Sequence, residues 1–188
     1  MHAGKQWSLA DTDHLRYRQL LLWDRAMMKL DDTFGFVPSP HQWVTHMDEK
    51  AQVLVFERGP LVFVLNWHPS SDYEGFKVAT PVPGKWRVAL DSDAREFGGS
   101  GRVGHDVDHF TQPSETIFQE RHQYMHVLSP SRTAVAYYRV EDGAQPQPAA
   151  LQNPKQLPEE GAEAHAAPEV APDVGVAASA TGGPEPLP

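Results

Sequence analysis

Hydrophobic and polar positions follow two regimes along this chain. Leu20, Trp23, Met27 and Leu30 recur at helical spacing, and Leu15, Leu22 and Ala26 form a second apolar line beside them. Asp11, Thr12 and Asp13 suit an N-cap, Gly35 suits a C′ position, and Pro38 and Pro40 block resumption. The pattern predicts a helix over residues 11–31 with a stripe wide enough to be covered on more than one side. From Trp43 onward the period changes. Residues 52–58 and 61–67 are β-branched and aromatic runs joined by Gly59-Pro60, which predicts a hairpin. Both runs are almost continuously apolar, as expected of central strands covered on both faces by a second sheet and something docked outside. Further strands are predicted over 76–79, 85–91, 108–111, 123–128 and 133–140, with a Gly-rich loop over 92–104. Turn signals at this spacing predict a mainly β chain, an antiparallel β-sandwich preceded by one long α-helix.

Composition divides the chain again. Residues 141–188 hold nine of the 17 Pro, eight acids, one base and no aromatic, a formal charge of −7, whereas residues 1–140 carry −2. Such a tail buries too little apolar surface to offset chain entropy and is expected to be disordered. The organisation expected is residues 1–40 with the helix, 41–140 as the β-sandwich domain, and 141–188 as the acidic tail. A near-neutral body with an acidic tail lacks the footprint of a nucleic-acid binder. No apolar run approaches the ~20 residues that span a bilayer. The first residues lack a signal-peptide core or transit-peptide character. With no Cys, disulfide scaffolds, thiolate metal sites and Cys nucleophiles are excluded.

Four constellations bear on chemistry. His105/His109 and His122/His126 have a four-residue spacing that could gather imidazoles around zinc, but they flank loops and read as loop and surface histidines. No metal and no cofactor are expected. Asp91/Asp93 and Asp106/Asp108 are carboxylate pairs of the kind glycoside chemistry uses, yet they flank turn residues and read as caps of backbone N–H groups. Residues 98–101 lack the Lys-Ser/Thr of a phosphate loop. Trp43, Trp67, Tyr73 and Trp86 lie in or beside the β region, where aromatic faces either stack on sugars or fill a core. Trp67 and Tyr73 flank a polar loop that a ligand could reach.

Several strings occur in an order that resembles one family. They are Lys5-Gln6-Trp7-Ser8-Leu9, Asp13-His14-Leu15-Arg16-Tyr17, Asp24-Arg25-Ala26-Met27, Val55-Phe56-Glu57-Arg58-Gly59, Leu61-Val62-Phe63-Val64, Pro83-Gly84-Lys85, Val88-Ala89-Leu90-Asp91-Ser92-Asp93, Phe97-Gly98-Gly99, His105-Asp106-Val107-Asp108 and Pro130-Ser131-Arg132-Thr133-Ala134-Val135. Together they resemble the C-terminal portion of the 1,4-α-glucan branching enzymes of starch and glycogen synthesis, in the α-amylase superfamily. The resemblance implies that the helix is the last of a (β/α)₈ barrel and that the strands form the family's C-terminal all-β domain. It implies an α-glucan as partner and Trp43, Trp67, Tyr73 and Trp86 as candidate glucan contacts. The family's catalytic carboxylates precede these motifs, so no residue here is assigned catalysis, and the chain alone is expected to be inactive. A plastid location is implied by the same resemblance, with the cytoplasm as the alternative. Two other readings stand beside it, a stand-alone glucan-binding or regulatory module and a His-based metal protein. With the barrel absent, the helix is also expected to drive self-association.

Overall fold

The computed structural model describes Leu9, Thr12, residues 15–118 and residues 120–141, of which residues 116–118 by backbone alone. Helix α1 spans Tyr17–Phe34. Nine strands follow, β1 (Gln42–Asp48), β2 (Val53–Arg58), β3 (Leu61–Asn66), β4 (Tyr73–Thr80), β5 (Lys85–Asp91), β6 (His109–Phe110), β7 (Gln112–Phe118), β8 (Arg121–Ser129) and β9 (Thr133–Val140). They form a six-stranded sheet in the order β1-β2-β3-β9-β5-β6 and a three-stranded sheet in the order β4-β8-β7. Every pairing is antiparallel. The mainly β architecture expected from the sequence is therefore present. The acidic tail beyond Glu141 lies outside the described residues.

The β2–β3 hairpin shows how residue choice sets register. Gly59 takes φ 55° and Pro60 follows, a two-residue turn that pairs Arg58 with Leu61 and runs in register to Val53 and Asn66. This register aims Val53, Val55, Val62 and Val64 at the second sheet, where Val78, Met125 and Val127 meet them. The opposite face of the same strands carries Leu61 and Phe63, which meet Ala26, Leu30 and Phe36. Two apolar cores thus lie on the two sides of one sheet, which is why β2 and β3 read as unbroken apolar runs. Burying each large side chain contributes roughly 1.5–3 kcal/mol.

Helix α1 begins later than expected and ends later too. Arg16 occupies the N-cap without a side-chain cap hydrogen bond, and Asp11 and Asp13 lie outside the described residues. Gly35 closes the helix in the left-handed conformation, its N–H on the Asp31 carbonyl at 2.6 Å. The two apolar lines also divide differently. Trp23, Ala26, Met27, Leu30 and Phe34 form the sheet-facing stripe, whereas Tyr17, Leu20 and Met28 are exposed. Two strands escaped the sequence reading. β1 mixes exposed apolar and polar positions at the sheet edge and carries a bulge between Val44 and His46. β7 contains Pro113, which is tolerated because β7 is the edge of its sheet.

Candidate functional site

Three connections meet at one end of the sandwich: residues 67–72 after β3, residues 92–108 after β5, and the turn 130–132 between β8 and β9. The ladders place them there, since Asn66 pairs with Thr133, Asp91 with Val135, and Tyr73 with Ser129. Buried Asn66 anchors the first connection. Its Nδ2 donates to the Ser71 and Ser129 carbonyls at 3.0 and 2.9 Å, and its Oδ1 accepts from the His68 N–H at 2.9 Å. His68 Nδ1 accepts the Ser70 and Ser71 amides. With Nδ1 an acceptor, the ring proton sits on Nε2 facing Ser71 Oγ at 3.3 Å, so His68 does not activate that hydroxyl as a base.

Trp67 rides on this anchored connection. Its N–H donates to the Gln52 carbonyl at 2.9 Å while its side chain is 60% exposed. A large aromatic held in water on a fixed backbone is pre-organised for stacking. The other aromatic candidates differ. Tyr73 is half-buried, spends its hydroxyl on the Ala51 carbonyl at 3.0 Å, and packs beside Phe76. Trp43 is 39% exposed at the other end of the β2 ladder, opposite Glu57, with the Arg121 guanidinium 5.7 Å above its ring. Trp86 is corrected outright. It is 1% exposed within the core between the sheets, so its ring offers no face to a glucan. The four aromatics do not converge on one surface.

The second connection is held by charge. Asp93 is buried and accepts the Ser100 amide at 3.1 Å, the Arg102 amide at 2.7 Å, and Arg102 Nε and Nη2 at 3.1 and 3.0 Å. Burial pushes this carboxyl up, but the Arg102 bonds outweigh it and hold Asp93 below the usual carboxylate range. Arg102 continues to Asp72 at 3.0 Å and to the Ser131 carbonyl at 3.1 Å, clamping all three connections together. Gly99 lies against the Asp93 backbone so closely that a Cβ would overlap its carbonyl. The capping role read from the sequence therefore holds for Asp93, over longer spans than a local turn.

Asp91, 1% exposed, pairs through Oδ2 with His105 Nε2, while its Oδ1 has no partner among the described residues. That hydrogen bond raises the His105 pKa above its ordinary value, against the opposing effect of burial. Asp108 pairs with Arg87 and Lys85, and the Arg87 bond holds its carboxyl low. Among the described residues, His109 bonds to no other histidine ring. Its Nδ1 meets the His126 carbonyl at 2.9 Å, and its ring stacks edge-on against Tyr137. Among the described residues no three His, Asp or Glu side chains gather as a metal-binding group.

Between the three connections lies an open polar cleft of about 390 Å³, walled by Arg16, Asp93, Ser100, Arg102, Ser131 and Arg132 among others. Sequence reasoning missed Arg16, Arg102 and Arg132, because nothing local marks them; only the topology brings them together. A second cavity of about 190 Å³ lies under α1 beside Trp23, Met27 and Phe63, and its lining is almost entirely carbon.

A match to the family described as "Alpha amylase, C-terminal all-beta domain" covers residues 43–140, the whole sandwich from β1 to β9. The chain belongs to this family. Its individual relatives include the chloroplastic/amyloplastic 1,4-alpha-glucan-branching enzyme of Oryza sativa subsp. japonica, 57% identical over 144 residues. That alignment covers 73% of this chain and 18% of the rice enzyme. The chloroplastic/amyloplastic 1,4-alpha-glucan-branching enzyme 1 of Pisum sativum is 54% identical over 143 residues, covering 73% of this chain and 17% of the pea enzyme. The 1,4-alpha-glucan-branching enzyme of Equus caballus is 40% identical over 140 residues, covering 74% of this chain and 20% of its own length. The chain thus spans about a fifth of the length of the curated relatives it matches. Helix α1 lies ahead of the residues matched to this family and covers the outer face of the larger sheet.

Proposed function

We propose that this chain serves as the C-terminal β-domain of a 1,4-α-glucan branching enzyme, in the synthesis of starch-type α-glucan. The 57% identity to the rice enzyme over 144 residues carries this reading. The names of the plant relatives support a plastid location. The domain's task is support, with residues 1–40 as the approach to a catalytic barrel and 41–140 as the sandwich. Tyr17, Leu20 and Met28 on the outer face of α1 meet the barrel, and Trp67 offers a stacking face to an α-glucan chain.

Three of the four carboxylates singled out from the sequence are committed to structural bonds. Asp91 and Asp93 are buried and engaged, and Asp108 is held by Arg87 and Lys85. A glucan transferase needs one carboxylate free as nucleophile and another as acid. Alone, the 188-residue chain is expected to form no α-1,6 linkages from amylose. Supplied in trans to a rice branching enzyme lacking its matched segment, it is expected to restore branching. Absence of any complex between the two parts, with both folded, overturns the reading. Without the barrel part, the exposed face of α1 drives self-association, and Leu20→Glu with Met28→Lys returns the chain to a monomer in sedimentation. A monomeric unmodified chain at tens of micromolar removes that part of the proposal.

A further inference from the structure

We propose that the polar cleft at the loop end is a binding site for a phosphate monoester, held by Arg16 and Arg132. The inference is independent of the glucan reading. It rests on an inventory of donors and acceptors around the cleft.

The carboxylates of the cleft are already spent. Asp93 receives two backbone amides and two guanidinium N–H groups, and Asp72 receives Arg102 and the Ser131 amide. The backbone amides of the Gly-rich segment are spent too, Gly98 on the Arg95 carbonyl, Gly99 on the Ala94 carbonyl and Gly101 on the Asp93 carbonyl. What remains is a surplus of donors. Arg132 uses only Nε, on the Pro69 carbonyl at 2.9 Å, and no carboxylate contacts it or Arg16 among the described residues. The hydroxyl of Ser100 stands beside them on the cleft wall, whereas that of Ser131 is already engaged by Asp72 and Arg102. A cleft that offers donors and positive charge, with its carboxylates neutralised, is complementary to a group that has acceptor oxygens and negative charge. A phosphate monoester is that group; a neutral sugar needs acceptors as well as donors.

The placement of Arg132 adds to the case. It adopts φ 58°, a left-handed conformation that is unfavourable for a residue with a long side chain. The turn is held there from both sides. Asp72 takes the Ser131 amide at 2.7 Å, and Thr133 Oγ1 donates to the Pro130 carbonyl at 2.6 Å. The guanidinium is therefore presented from a rigid base. The volume of about 390 Å³ falls within the roughly 300–1,000 Å³ typical of small-molecule sites.

The test is calorimetric titration of the full 188-residue chain with glucose 6-phosphate, inorganic phosphate and maltotriose. Both phosphate probes should bind one site in a salt-sensitive manner, and maltotriose should not compete. Equal affinities for the two probes assign recognition to the phosphate alone, and tighter glucose 6-phosphate adds a contribution from its sugar. Arg16→Gln with Arg132→Asn should weaken both probes by about tenfold or more. Asn tolerates the left-handed backbone, so the turn survives, as circular dichroism would verify. Arg132→Lys should retain part of the affinity, and Lys29→Gln on the exposed surface of α1 should leave it unchanged. No saturable phosphate binding, equal binding by the double variant, or displacement by maltotriose would overturn the site. None of these outcomes bears on complementation of the rice enzyme, so the two proposals fail separately.

Discussion

The two ends of the sandwich are each closed by an arginine on a buried carboxylate, and the difference between them separates structure from recognition. At the strand end, Glu57 is 0% exposed and receives Arg121 Nε and Nη2 at 2.7 and 2.8 Å, with His41 Nε2 at 2.7 Å. Glu57 belongs to one sheet and Arg121 to the other, so the pair is a strut across the core. The Arg121 guanidinium lies over Trp43, which leaves that ring one covered face. At the loop end, Arg102 reaches Asp93 and Asp72, both in connections, and the pair folds irregular chain rather than joining sheets. Its surroundings keep an open cleft and an exposed Trp67. One end spends its polar groups on itself; the other holds some in reserve.

The largest effect should come from breaking the strut. Arg121→Met leaves the Glu57 charge buried without its main partner, a loss of roughly 3–5 kcal/mol in urea denaturation. Replacing both, Glu57→Leu with Arg121→Met, should recover most of that loss. If the single and double variants are equally unstable, the strut is not what closes that end. At the loop end, Arg102→Met should cost less, about 2 kcal/mol, because Asp72 is exposed to water and buried Asp93 keeps the Ser100 and Arg102 backbone amides. Protease should then cut first within residues 92–108. A first cut elsewhere would mean that Arg102 does not hold the connection.

Smaller still is the pH effect of the His105–Asp91 pair. The His105 pKa is raised in the folded state, so its contribution is complete below about pH 6.5 and is lost as pH climbs through the folded value. Stability should therefore fall modestly on the alkaline side, by under about 1 kcal/mol given the exposure of His105. Asp91, Asp106 and Glu96 all favour the charged ring, so no nearby group reverses the sign. His105→Gln should flatten this part of the profile. A profile that keeps the same slope in that variant would place the titration elsewhere.

Much of the fold was legible because its determinants are local in sequence. Unbroken apolar runs on either side of Gly59-Pro60 announced two-sided strands, and the second core under α1 supplies the covering they required. The missed β1 owes its pairing to β2 rather than to its own pattern, since Val44 and Met47 point to water at a sheet edge. The helix start was displaced because Asp13 and Thr12 are good caps in any context, whereas regular helix begins only at Tyr17. The candidate site was far less legible. Trp67 was marked by its polar loop, but nothing in the sequence told that Trp86 is buried, its side chain facing the core between the two sheets. Arg16, Arg102 and Arg132 are separated by long stretches of chain, and no spacing rule unites them.

The distinction between the two ends is tested most directly by affinity electrophoresis in gels containing amylose, comparing Trp67→Ala with Trp43→Ala. Each substitution at an exposed ring should change stability by no more than about 0.5 kcal/mol for Trp67 and somewhat more for Trp43, whose ring covers Arg121. Retardation of the unmodified chain should be abolished by Trp67→Ala and kept by Trp43→Ala, as expected if glucan meets the loop end. Retardation that survives Trp67→Ala and disappears with Trp43→Ala would place recognition at the strand end and contradict the division drawn here.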